Sequence, residues 1–151
     1  MGNKFHVNRR VGTILLPAEA ISAAQARRFT RRICTEVGLD LDTVYIAVLL
    51  TSETVTNAIV HGHSEVRLTV TADAHGVRVE ASDANSRHPV LQSQDADALD
   101  GRGVALLEAA ATKWGVVDEN YGKVVWFEVC VRPPPDDLAG PARNGSDTNG
   151  A

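Results

Sequence analysis

The sequence predicts an α/β two-layer sandwich, with helices on one face of a mixed, mostly antiparallel sheet. Three observations predict it. Apolar residues recur with periods of two and of three to four in alternating segments, giving the order β-α-α-β-β-loop-α-β-β. Three of the strand connections are hairpins or lack a crossover helix, which argues against a doubly wound parallel sheet. Finally, 151 residues, 44% of them hydrophobic, suffice for one buried core.

Each element follows from local signals. Residues 1–10 are polar and basic, ending in Arg9-Arg10, and read as a flexible N-terminal segment. The folded domain is expected over 11–132. Gly12 to Leu16 forms a short strand stopped by Pro17. Ser22-x-x-Gln25 has the form of a capping box, and Ala26, Phe29, Ile33 and Val37 follow on one helical face up to Gly38. Asp40 or Asp42 caps a second helix reaching His61, with Gly62 as the expected left-handed terminator. Val66 to Ala72 and Val77 to Asp83 alternate strictly and are joined by the turn Asp73-Ala74-His75-Gly76. Ser86 to Asp100 has no sustained period and reads as a long loop. Gly101-Arg102-Gly103 opens a helix to about Thr112. Strands near Trp114–Val117 and Val124–Val131 then flank the turn Glu119-Asn120-Tyr121-Gly122. Residues 133–151, PPPDDLAGPARNGSDTNGA, have almost nothing to bury and read as a disordered tail.

Composition narrows the function. A net charge of −4 argues against a general binder of nucleic acid or anionic membrane. Two distant cysteines, Cys34 and Cys130, exclude a disulfide framework and a cysteine-rich zinc site, and fit a reducing cytoplasm. No signal peptide is evident after Met1, and no apolar run approaches the ~20 residues of a membrane helix.

Polar residues interrupt apolar patterns at three places. On the second helix, Val44, Val48, Thr51, Val55 and Ala58 form one stripe, and Ile46, Leu49, Leu50 and Val60 another. Glu53 and Asn57 fall in the second stripe, four residues apart and pointing the same way. They are either a satisfied core pair or the carboxylate and amide that a hard cation and a hydroxyl nucleophile require. Asp83 shares the inward face of its strand with Val77, Val79 and Ala81. There it either begins a turn or accepts from a buried donor such as an exocyclic amine. Gly101-Arg102-Gly103 is either a plain turn or a phosphate cradle, with helix N–H groups and a fork-shaped cation. On the first helix, Arg27, Arg28, Arg31 and Arg32 form two ridges that suit a solvated face or a dock for an acidic protein.

The order of these signals resembles the GHKL ATPases, which share the Bergerat ATP-binding fold, and among them the small anti-sigma-factor serine/threonine kinases. Thr51-Ser-Glu-Thr-Val-Thr-Asn-Ala-Ile-Val-His-Gly62 is similar to the family's N box. Val79-Glu-Ala-Ser-Asp83 followed by Pro89 is similar to the G1 box, and Gly101-Arg-Gly-Val-Ala-Leu-Leu107 to the G2 box. Trp114-Gly115 and Gly122 to Glu128 resemble the closing hairpin. The resemblance runs from about Thr13 to Val131.

The resemblance implies that ATP and Mg²⁺ are the cofactors. Asn57 would ligate the metal, Glu53 would be the general base, and Asp83 would accept from the adenine amine. Gly101, Arg102 and Gly103 would contact the phosphates beneath a lid formed by Ser86 to Asp100. His61 would be structural or line the pocket edge. Asn85 stands where the G1 box carries glycine, and a second glycine expected nearby is missing. Asparagine tolerates the left-handed region, so the turn can survive, and the missing second glycine bears on phosphotransfer more than on nucleotide binding. The implied partners are a sigma factor and an anti-sigma antagonist, with no direct nucleic-acid or membrane contact, and a homodimer is compatible with the resemblance. The other class of function is a non-catalytic ATP-binding module that switches a protein–protein interaction.

Overall fold

The computed structural model describes residues 8–83, 101–119 and 122–131. The expected N-terminal segment therefore lies mostly outside the described residues, as do the Ser86–Asp100 loop, Asn85, the tail from 133 and the centre of the last turn. Strand β1, Arg10–Leu16, leads into helix α1, Ile21–Glu36. Ser22 does not cap it. The N-cap is Ala20, without a side-chain hydrogen bond, and Ser22 sits inside the first turn facing the core. A buried hydroxyl needs an acceptor, and the Ser22 Oγ donates to the Pro17 carbonyl at 2.6 Å. Gly38, at φ 81°, takes the left-handed step that ends α1.

Helix α2, Leu41–Gly62, starts at Asp40, whose carboxylate accepts from the Thr43 backbone N–H at 3.2 Å and its Oγ1 at 2.6 Å. Those bonds hold the Asp40 carboxyl below its ordinary range. The other end differs from expectation. Gly62 is still helical, and the left-handed cap is His63, at φ 55°. Although no continuous apolar run approaches the length of a membrane helix, α2, with 22 residues and a mean hydropathy of 1.4 over an 18-residue window, is long and apolar enough to cross a membrane. Half of that window is buried within the protein, and α2 packs against α1, the third helix and the sheet. It is a core helix.

Strands β2, Val66–Asp73, and β3, Gly76–Asp83, form a hairpin in which Asp73 Oδ1 accepts from the His75 N–H at 2.8 Å. Helix α3, Gly101–Ala110, precedes β4, Lys113–Glu119, and β5, Gly122–Cys130. The sheet order is β1-β2-β3-β5-β4, and every described pairing is antiparallel.

Register aligns one apolar face across the sheet. Leu68 lies opposite Ala81, Val70 opposite Val79, and Val79 opposite Phe127. With Leu16, Val66, Val77, Val125 and Val129, these residues form the sheet side of the core. Helices α1 and α2 pack side by side on it, α1 over β1 and β2, α2 over β3 and β5. Two polar contacts fix their pairing: Thr30 Oγ1 donates to Thr51 Oγ1 at 3.2 Å, and Arg27 donates to Ser52 at 2.9 Å. On the opposite sheet face, Arg78 bonds Glu128 at 2.8 Å and stacks 4.3 Å over the Trp126 ring. This is the two-layer arrangement that the periodicity predicts.

Candidate nucleotide site

The C-terminal half of α2 is the spine of the site. Its first stripe faces the core as expected: Val44, Val48, Thr51 and Val55 are buried. The second is only partly covered, with Leu50 buried and Val60 exposed. Glu53 is half-buried, and Asn57, one turn further, is 8% exposed. Among the described residues, no hydrogen bond to the Asn57 side-chain amide is present. A buried amide without a partner costs about 1–3 kcal/mol, so its retention points to a ligand.

Two glycines bring the other motifs to this helix. Gly103, in the first turn of α3, lies so close to Asn57 that a Cβ there would fall 2.5 Å from Asn57 Nδ2. The missing side chain lets the first turn of α3 approach the Asn57 amide. Gly62 plays the same part for Asp83. A Cβ on it would lie 2.6 Å from Asp83 Oδ2. Glycine stands at the end of α2 to admit a carboxylate, and His63 supplies the turn expected of it.

Asp83 is the last residue of β3, opposite Val66 and on the inward side, where the alternation places it. Its Oδ1 accepts from the Ser64 Oγ. Ser64 is not among the expected site residues, because a serine after a helix carries no signal until the strand end facing it is known. Gly101 and Arg102 occupy the first turn of α3, which fits backbone contacts to an anion. His61 is exposed on the last turn of α2.

The fold thus gathers Glu53, Asn57, Asp83 and the start of α3 around one end of α2, while Asn85 lies outside the described residues. Among the described residues, no group of three His, Cys, Asp or Glu could hold a metal. A hard cation at Asn57 would find an amide oxygen there as a ligand of the kind Mg²⁺ accepts. A separate cavity of about 470 Å³ lies at the other end of α2, lined by Asp40, Asp42, Tyr45 and Cys130 among others. It shares no residue with this site.

Comparison with known proteins agrees with this geometry. The family described as histidine kinase-like ATPase domain matches residues 16–129. An uncharacterized protein of Streptomyces coelicolor is 42% identical over 79 residues, spanning 51% of this chain and 74% of the relative. The crystal structure of the RsbU and RsbW domains of a Mycobacterium tuberculosis protein superposes with a TM-score of 0.61 at 21% identity. That match covers 82% of this chain and 33% of the two-domain one, so the chain spans a third of that neighbour. Its likeness establishes the fold. With the family match extending over most of the sequence, and the motifs of the GHKL ATPases meeting at one end of α2, the chain belongs to the histidine kinase-like ATPase domains.

Proposed function

We propose that the protein is a cytoplasmic, ATP- and Mg²⁺-dependent serine/threonine kinase that phosphorylates an anti-sigma antagonist and sequesters a sigma factor. The observation that carries the reading is the buried Asn57 amide, facing the start of α3 with no partner among the described residues. Asn57 would hold Mg²⁺, which would supply charge neutralisation for phosphates at that helix start. Glu53, one turn away on the same face of α2, would take the proton of an attacking hydroxyl. Asp83 accepts from the adenine amine, and Gly101, Arg102 and Gly103 hold phosphate oxygens. The RsbW domain of the structural neighbour supports a regulatory partner protein.

The second reading, an ATP-dependent switch without transfer, rests on Asn85 in place of the G1 glycine. Single-turnover transfer of labelled phosphate to a sigma-antagonist partner separates the two. Glu53→Gln keeps the shape but cannot accept a proton, so ATP binding should persist while transfer falls by about 10²–10⁴. Some rate should remain, because phosphoryl transfer leans on positioning and charge. Tight ATP binding by the wild type with no transfer to the antagonist would favour the switch. A Glu53→Gln variant as fast as wild type would remove Glu53 as the base.

A further inference from the structure

Three features converge on the Asp83 carboxylate from the end of α2. Gly62 has no side chain where a Cβ would lie 2.6 Å from Oδ2. His63 turns the chain through the left-handed region immediately afterwards. That turn delivers Ser64, whose hydroxyl donates to Oδ1. A carboxylate at the end of a strand is otherwise able to rotate about its side-chain torsions. Here one oxygen is tethered and the other abuts a helix terminus that only glycine could provide.

We infer that Ser64 is a positioning residue that sets the orientation of Asp83 and thereby the preference for adenine over guanine; this rests on the reading of the site as an adenine-nucleotide pocket. An ionised carboxylate is acceptor-only, with about four lone-pair sites, so the bond from Ser64 is compatible with a further bond from a base. Adenine presents an exocyclic amine at C6, a donor that matches. Guanine presents a carbonyl oxygen at the same position, an acceptor facing an acceptor. That mismatch discriminates only if the carboxylate cannot swing away, because a rotated carboxylate relieves the repulsion and also loses the amine. Ser64 supplies the restraint through Oδ1, and Gly62 leaves room for the restrained position.

The test is calorimetric titration of the full chain with ATP·Mg²⁺ and with GTP·Mg²⁺. Ser64→Ala should weaken ATP binding about tenfold, the worth of a hydrogen bond to a charged group, and should shrink the ATP:GTP affinity ratio. Ser64→Thr keeps a hydroxyl at the same place and should retain the ratio. Gly62→Ala should lower ATP affinity further, since its methyl displaces the carboxylate directly. Asp83→Asn separates this inference from the reading beneath it. If Asp83→Asn weakens ATP binding while Ser64→Ala leaves the ATP:GTP ratio unchanged, the role of Ser64 is overturned and the adenine pocket stands. A Ser64→Ala variant that lowers only the Tm would overturn that role in the same way. If Asp83→Asn binds ATP as tightly as wild type, the adenine reading and the role of Ser64 fall together.

Discussion

Burial on the core-facing side of α1 pushes the Cys34 thiol up to about 12, whereas Cys130 lies exposed at the end of β5. A thiol reagent at mild alkaline pH should therefore label Cys130 in the native protein and reach Cys34 only on unfolding, as counted by mass spectrometry. Because the folded pKa of Cys34 exceeds the unfolded one, its contribution to stability is complete below about 9 and is lost as pH rises toward 12. Cys34→Ala should show a shallower alkaline decline in denaturant midpoint than wild type. Equal slopes, or rapid native labelling of Cys34, would contradict its burial. Asn57 and Asp83 can be singled out in the sequence because a polar residue in an apolar period is visible in one dimension. Ser22 and Gly62 look like a cap and a terminator in the sequence and are neither. Their roles depend on Pro17 and Asp83, neighbours that only the folded chain brings within reach.

At the scale of elements, β5 is the strand on which the sheet depends, because it pairs with β3 on one side and β4 on the other. Phe127 at its centre is fully buried, with Val79 opposite on β3 and Trp114 opposite on β4. Phe127→Ala should cost about 3–5 kcal/mol by chemical denaturation, through lost burial and the cavity left behind. Val117→Thr, at an exposed position of the edge strand β4, should stay within about 0.5 kcal/mol. If the two variants cost the same, the inward face has been assigned to the wrong side. The strands and helices are legible in the sequence, because alternation and caps such as Asp40 act within a few residues. The sheet order is not, since placing β5 between β3 and β4 depends on long-range packing rather than on local pattern. The outer-face stack of Arg78 on Trp126 likewise joins two strands far apart in the chain.

For the whole molecule, two packed layers put one end of α2 against both the end of β3 and the start of α3. The described parts of the N-box, G1-box and G2-box segments, separated in sequence, thereby lie side by side. The histidine kinase-like ATPase family assigns ATP binding to this fold, and the buried Asn57 amide is the place where nucleotide binding should matter most. The direct measurement is the melting curve of the full chain with and without ATP·Mg²⁺, beside an Asn57→Ala variant. Ligand bound only to the native state stabilises by mass action, about 2.7 kcal/mol at a hundredfold excess over Kd. For a domain of this size that corresponds to a rise in Tm of roughly 5–10 °C. The wild type should show that rise, and Asn57→Ala should lose most of it while remaining folded. A folded wild type whose melting curve does not move at millimolar ATP·Mg²⁺ would contradict the assignment of this site.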